Sequence, residues 1–183
     1  DEEGEGLSVF YGASGASLSA ADVASQGDHM KEGAIVVTSL VLDSDTVTAA
    51  AETARRGGAL SILDARLYAE SASDLFPLFD HLVAGRPEVE SFTGVGISGT
   101  SDALAAMRAL VDLGARDPVL FLGHRGAACF DQGRAVLVPS PRCMVAEAPS
   151  AADAFVGALA ALLREGDGMR AAVEGACRYA AMV

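Results

Sequence analysis

Short apolar runs rich in branched residues alternate along this chain with segments of helical spacing, and that alternation restricts the fold more than any other feature. Residues 34–42 form one such run, followed by a helical segment over 45–56 that closes on Gly57 and Gly58. Residues 59–63 form the next run, ending on Asp64. A short helix over 73–80, a strand over 81–84 and a further helix opened by Pro87 come next, the proline suiting a first turn. Thr100 or Ser101 is expected to cap a helix reaching about Leu113, with Leu104, Met107 and Val111 on its apolar face and Arg108 at the edge. A buried-type strand over 119–122, a turn Gly123–Gly126 and a hairpin over 127–130 and 135–138 lead to two closing helices, 153–165 and 169–182. Repeated strand–helix alternation predicts an α/β fold: a doubly wound, mostly parallel sheet with flanking helices. The first thirty residues stand outside the pattern, with one short strand over 8–11 and then a stretch rich in Gly, Ser and Ala.

Length and charge narrow the function. A chain of 183 residues can bury about 70% of its unfolded surface, so a single domain over 1–183 is the expectation. A net charge of −12 argues against nucleic acid as a partner, because that binding is driven by Lys and Arg neutralising phosphates. Any nucleotide site must therefore be locally positive or built from backbone donors and a metal. No apolar window is long enough for a membrane span, so no membrane partner is expected. Cys129, Cys143 and Cys177 have no close paired spacing and read as buried reduced thiols of a cytoplasmic protein.

The segment from Val145 to Gly166 carries most of the chemistry. It runs from very small residues through Asp153 into an amphipathic helix closed by glycine. Small residues let backbone N–H groups converge on an anion, and a helix N-terminus adds partial positive charge. An aspartate beside such a site can accept a proton from a hydroxyl while the donors hold developing charge. Phosphoryl transfer to an alcohol needs that combination. Taken alone, Asp153 reads first as a first-turn acid, favoured by the helix dipole by about 0.3–1 kcal/mol, ahead of a catalytic role, and Gly123 and Gly126 are equally turn glycines.

Four segments in order resemble the PfkB (ribokinase-like) carbohydrate kinase family. Glu147-Ala148-Pro149-Ser150-Ala151-Ala152-Asp153 stands in the register of the family's closing Asp-Thr-x-Gly-Ala-Gly-Asp. Phe121-Leu122-Gly123-His124-Arg125-Gly126 matches its Thr-x-Gly-x-x-Gly turn. Gly85-Arg86-Pro87-Glu88 matches its Asn-x-x-Glu, with Phe92-Thr93-Gly94 in place of the Leu-Thr-Gly that follows. Asp64 stands where the family has a strand-end Asp. The resemblance implies a sugar kinase using ATP and Mg²⁺. Asp153 would be the base, the backbone of Ser150, Ala151 and Ala152 the anion hole, Gly123 and Gly126 the nucleotide-binding turn, and Glu88 a residue positioning Mg²⁺ through water. It also implies that these 183 residues are the C-terminal part of a larger ribokinase-like domain, with the first βαβ units, most of the lid and much of the sugar site before Asp1. The family's lids often contribute to dimers, so a homodimer is among the partners it allows.

The departures from the family pattern keep a second reading open. Ser150 and Ala152 replace glycines, Pro149 removes a backbone donor, Gly85 stands for Asn and Phe121 for Thr. A retained base with eroded binding fits a weakened or inactive kinase, or a non-catalytic sugar- or nucleotide-binding pseudokinase acting by association. A third pattern, Gly94-x-Gly96-x-x-Gly99, would need a strand immediately before it to be a dinucleotide fingerprint, and residues 87–92 read as helix.

Overall fold

The computed structural model describes residues 18–66, 72–141 and 149–183. Strands β1 (Ile35–Ser39), β2 (Leu60–Asp64), β3 (His81–Gly85) and β4 (Pro118–Phe121) are parallel, and β5 (Ala127–Asp131) and β6 (Arg134–Val138) close the sheet as an antiparallel hairpin. The strands lie in the sheet in chain order. The hairpin turns on Gln132 and Gly133, both at positive φ, the backbone that a tight two-residue loop needs. The predicted strand over residues 8–11 lies outside the described residues.

The helices cover both faces of the sheet. Helices α2 (Ser44–Gly57), α3 (Arg86–Thr93) and α4 (Thr100–Asp112) connect parallel strands, and right-handed crossovers through strands in chain order put such helices on one side. Val47, Ala51, Val89, Ala106, Met107 and Leu110 accordingly share one buried cluster with Leu63, Leu82 and Leu120. The opposite face belongs to α5 (Pro149–Arg164) and α6 (Met169–Ala180), whose Phe155, Leu159 and Val173 pack with Ile62, Val83 and Val119. Ile62 and Leu63 point to opposite faces, as adjacent strand residues must. A short α1 (Ala20–Ser25) packs outside α2 and is capped by Ser19.

Local chemistry sets the element ends. Asp43 caps α2, its carboxylate accepting from the Thr46 backbone N–H at 2.9 Å and from the Thr46 hydroxyl at 2.8 Å. Gly58 ends α2 in the left-handed conformation at φ 79°. Residues 73–78 form a 3-10 helix rather than an α-helix, with Pro77 inside it.

Two sequence expectations need correction. The buried face of α4 is Ala103, Ala106, Met107 and Leu110, while Val111 is 42% exposed. Alanines let the helix approach the sheet closely, and the larger Leu104 and Val111 rotate off that face. The helix cap is also neither Thr100 nor Ser101. Both are already helical, and the Asp102 carboxylate caps instead by accepting from the backbone N–H groups of Ser98 and Gly99, each at 3.1 Å. The Ser98 hydroxyl, and then those backbone bonds, hold the Asp102 carboxyl below its usual range.

Met107→Ala should therefore cost about 2–5 kcal/mol and Val111→Ala less than about 0.5 kcal/mol, measured by urea denaturation. Equal losses would restore the predicted face. A second expectation concerns Gly126, at φ +97°, where an added Cβ would stand 2.0 Å from the Val138 carbonyl oxygen and 2.6 Å from the Ser140 nitrogen. Conformational strain alone is about 1–2 kcal/mol. Gly126→Ala should thus lower Tm by at least about 2 °C in a thermal melt, at ~2–4 °C per kcal/mol for a chain of this size.

Candidate active site

The C-terminal ends of the parallel strands align at one edge of the sheet. Ser39 pairs with Asp64, Asp64 with Val83, and Gly85 with Phe121. Loops after such ends are where open α/β sheets hold ligands. Most of the sequence-predicted site residues sit on the segments that leave this edge.

Helix α5 begins at Pro149, not at Asp153 as the sequence predicted, so Ser150, Ala151 and Ala152 form its first turn. In a helix starting at Pro149 the N–H groups of Ser150 and Ala151 precede the first intrahelical hydrogen bond, which the Ala152 N–H donates, and they lie at the positive end of the helix dipole. Their backbone is right-handed helical, and among the described residues Gln132 is the one non-glycine at positive φ. Replacing the family's glycines by Ser150 and Ala152 therefore introduces no left-handed strain. Asp153 follows one turn into the helix with its side chain 80% exposed.

Asp153 is held by a residue that the sequence reading missed. Arg66, in the turn after β2, donates from Nε to Asp64 Oδ1 at 2.8 Å and from Nη2 to Asp64 Oδ2 at 2.6 Å. The same Nη2 donates to Asp153 Oδ1 at 3.0 Å. The side chains of Arg66 and Asp64 are 9% and 14% exposed, so this guanidinium is buried and compensated. Burial alone would lower its pKa. The hydrogen bonds and charge of Asp64, and then those of Asp153, outweigh burial and raise it. The Asp64-x-Arg66 spacing could have signalled the fork, because two residues suffice for a strand-end carboxylate to meet a guanidinium. Nothing local signalled the contact with Asp153.

The other side of the edge is built from Glu88, Phe121 and the turn. Glu88 lies in the first turn of α3, and its carboxylate folds against Gly85: a Cβ on Gly85 would stand 2.6 Å from Glu88 Oε2. The space of the family's Asn side chain is thus bordered by the Glu88 carboxylate. Phe121, where the family has Thr, packs against Phe155 with ring centroids 4.7 Å apart. Phe155 lies two residues beyond Asp153, so the phenyl pair fixes α5 against the end of β4. Gly123, at φ 60°, and Gly126 bracket a 3-10 turn bearing His124 and Arg125, both exposed.

Glu90 links α3 to the loop before α4, its Oε1 accepting from the Ile97 N–H at 2.6 Å and from Arg86 Nε at 3.0 Å. Those bonds, and the charges of Arg86 and Arg125, hold the Glu90 carboxyl low. The Gly94–Gly99 loop follows α3, not a strand, so the dinucleotide pattern lacks its context. Burial pushes the Cys129 thiol up to about 12 and the Cys177 thiol up to about 11, as expected for inert core thiols. Cys143 lies outside the described residues. Among the described residues no three His, Cys, Asp or Glu side chains form a metal-binding group, and no helix is long and apolar enough to cross a membrane.

Comparison with known proteins agrees with this architecture. The chain is 27% identical over 165 residues to a deoxyribokinase of Salmonella typhi, covering 90% of this chain and 54% of that protein. It thus spans about half the length of that relative. A crystal structure of ribokinase from Thermotoga maritima superposes with a TM-score of 0.80 at 21% identity, over 99% of this chain and 59% of that one. Arabidopsis thaliana ribokinase, solved in complex with ribose and ATP, superposes with a TM-score of 0.71 at 21% identity, over 88% of this chain and 51% of that one. At those identities the superpositions establish the ribokinase-like fold. The family profile described as pfkB family carbohydrate kinase matches residues 1–183, and the chain belongs to that family.

Proposed function

We propose that this chain carries the catalytic edge of an ATP-dependent sugar kinase, transferring the γ-phosphate of ATP to a sugar hydroxyl. The reading rests above all on Asp153: an exposed carboxylate one turn into a helix, above the carboxyl ends of parallel strands. The named relatives, a deoxyribokinase and ribokinases, favour a pentose as acceptor. Because the chain spans about half the length of the deoxyribokinase, activity, acceptor and partners of the whole protein all belong to this proposal. Within it, residues 1–183 are one α/β unit of a larger ribokinase-like domain.

In the reaction, the Asp153 carboxylate takes the proton of the acceptor hydroxyl as its oxygen bonds to the γ-phosphorus. The bond to the β–γ bridging oxygen breaks and ADP leaves with the electron pair. The backbone N–H groups of Ser150 and Ala151, with the helix dipole behind Ala152, face the charge on the transferring group, so positioning and electrostatics supply most of the acceleration. Gly123 lets the turn after β4 pass close to the nucleotide, and Gly126 seats that turn against the backbone of residues 138–140. Glu88, whose carboxylate lies beside Gly85, would hold Mg²⁺ through water, and the ion would supply neutralisation of phosphate charge.

Two observations favour a second reading, a pseudokinase that binds sugar or nucleotide without turnover. Phe121 spends its side chain on Phe155 instead of offering a hydroxyl, and Gly85 offers none at all. One experiment separates the two. ADP release is measured with ribose, deoxyribose and a sugar panel, for the full-length protein and its Asp153→Asn variant. A kinase gives acceptor-dependent release that falls by roughly 10²–10⁴-fold in the variant, the span of a lost general base. ATP binding by calorimetry with no turnover on any sugar establishes the pseudokinase and sinks the kinase.

A further inference from the structure

The contact between Arg66 and Asp153 asks more of the arginine than charge balance. Asp64 alone compensates the guanidinium: it accepts from Nε and Nη2 in a fork-to-fork pair and takes the Arg66 backbone N–H on Oδ1 at 3.2 Å. Asp64 itself is fixed, because its backbone lies in register with Ser39 on one side and Val83 on the other. Arg66 is thus a rigid extension of β2. Its Nη2 then reaches a residue 87 positions away on α5 and holds one oxygen of an otherwise exposed carboxylate.

We propose that Arg66 is a positioning residue for Asp153, with the sheet-anchored guanidinium fixing Oδ1 so that Oδ2 is presented to the acceptor hydroxyl. The inference rests on reading Asp153 as the base. A solvated aspartate one turn into a helix samples several staggered χ1 rotamers, and each places its oxygens differently. A donor held at 3.0 Å selects the rotamer that keeps Oδ1 on Nη2. Since a base works only within hydrogen-bond reach of the proton that it takes, one fixed rotamer keeps the reactive geometry populated. The pairing also leaves the trio with two carboxylates and one guanidinium, a net negative charge that suits an acceptor of protons. Lysine cannot substitute fully, because its single ammonium lacks the planar fork that meets Asp64 and Asp153 together.

The test reads the rotamer directly. Three-bond NMR couplings across the Asp153 Cα–Cβ bond are measured in the folded chain and in Arg66→Gln, Arg66→Lys and Asp64→Asn. The parent should show couplings of one staggered rotamer, the Gln and Asn variants averaged values, and the Lys variant values between. Arg66→Lys and Asp64→Asn keep the test decisive if Arg66→Gln fails to fold. Couplings already averaged in the parent, or single-rotamer couplings persisting in the folded variants, overturn the proposal. A merely structural arginine would alter Tm and leave those couplings alone. Turnover supplies the separate check on the base. In an active kinase, Arg66→Gln should lower kcat roughly tenfold to a hundredfold, with KM for ATP within about twofold of the parent, as misplacement of a reacting group does. Full turnover in Asp153→Asn would remove the base reading while leaving the rotamer result intact, so the two failures are distinguishable.

Discussion

Parallel pairing of β1 through β4 is the constraint on which the rest depends. It brings Ser39, Asp64, Gly85 and Phe121 to one edge of the sheet. A parallel sheet must be covered on both faces, and this one meets the demand with α2, α3 and α4 on one side and α5 and α6 on the other. Because the described strands follow chain order, crossovers supply only the first layer. The antiparallel hairpin β5–β6 ends that progression, and α5 then takes the opposite face. That change of side sets the N-terminal turn of α5 above the strand ends, next to the turn after β2. The Arg66–Asp153 contact is a product of this topology.

The fold was legible because buried parallel strands read as unbroken apolar runs. The segments over 59–63, 81–84 and 119–122 each became a strand shifted by no more than one residue at either end. The hairpin was legible from its spacing. What misled was alanine. In α4 the sequence pointed to Leu104 and Val111 because they are large, yet the face that meets the sheet is Ala103, Ala106, Met107 and Leu110. Close packing rewards fit rather than bulk, and small side chains permit a short helix-to-sheet distance. The start of α5 was misplaced for a related reason: an acid in a first turn and a proline in a first turn are both reasonable starts, and the proline was the true one.

The candidate site was legible in part. Motif order named Asp153, Ser150, Ala151, Ala152, Gly123, Gly126 and Glu88; the last three lie on segments leaving the same edge, and the contact of Arg66 with Asp153 ties the start of α5 to it. Spacing alone could not reveal that Arg66 bridges Asp64 and Asp153, since the contact spans 87 residues. Nor could it show why Phe121 is tolerated. Across the strand ends that ring packs on Phe155, so the loss of a polar side chain at β4 is a gain in anchoring for the helix that bears Asp153. Aromatic pairs of this kind contribute about 0.5–1.5 kcal/mol beyond their buried area.

The same geometry changes the meaning of the eroded signature. Glycine is indispensable where the backbone must take a positive φ or another chain comes too close. Gly126 meets both conditions and is retained. Ser150 and Ala152 meet the first turn of an α-helix, where an L-residue is at ease and the donor is the backbone itself. Substitution there leaves the N–H groups in number and direction, and only Pro149 removes one. The erosion therefore weighs less on the anion-facing donors than a comparison of letters suggests. It weighs more on Gly85 and Phe121, where side-chain groups are gone and the backbone cannot replace them. On the proposed roles, nucleotide handling rather than proton acceptance is the place where this chain departs most from its family's pattern.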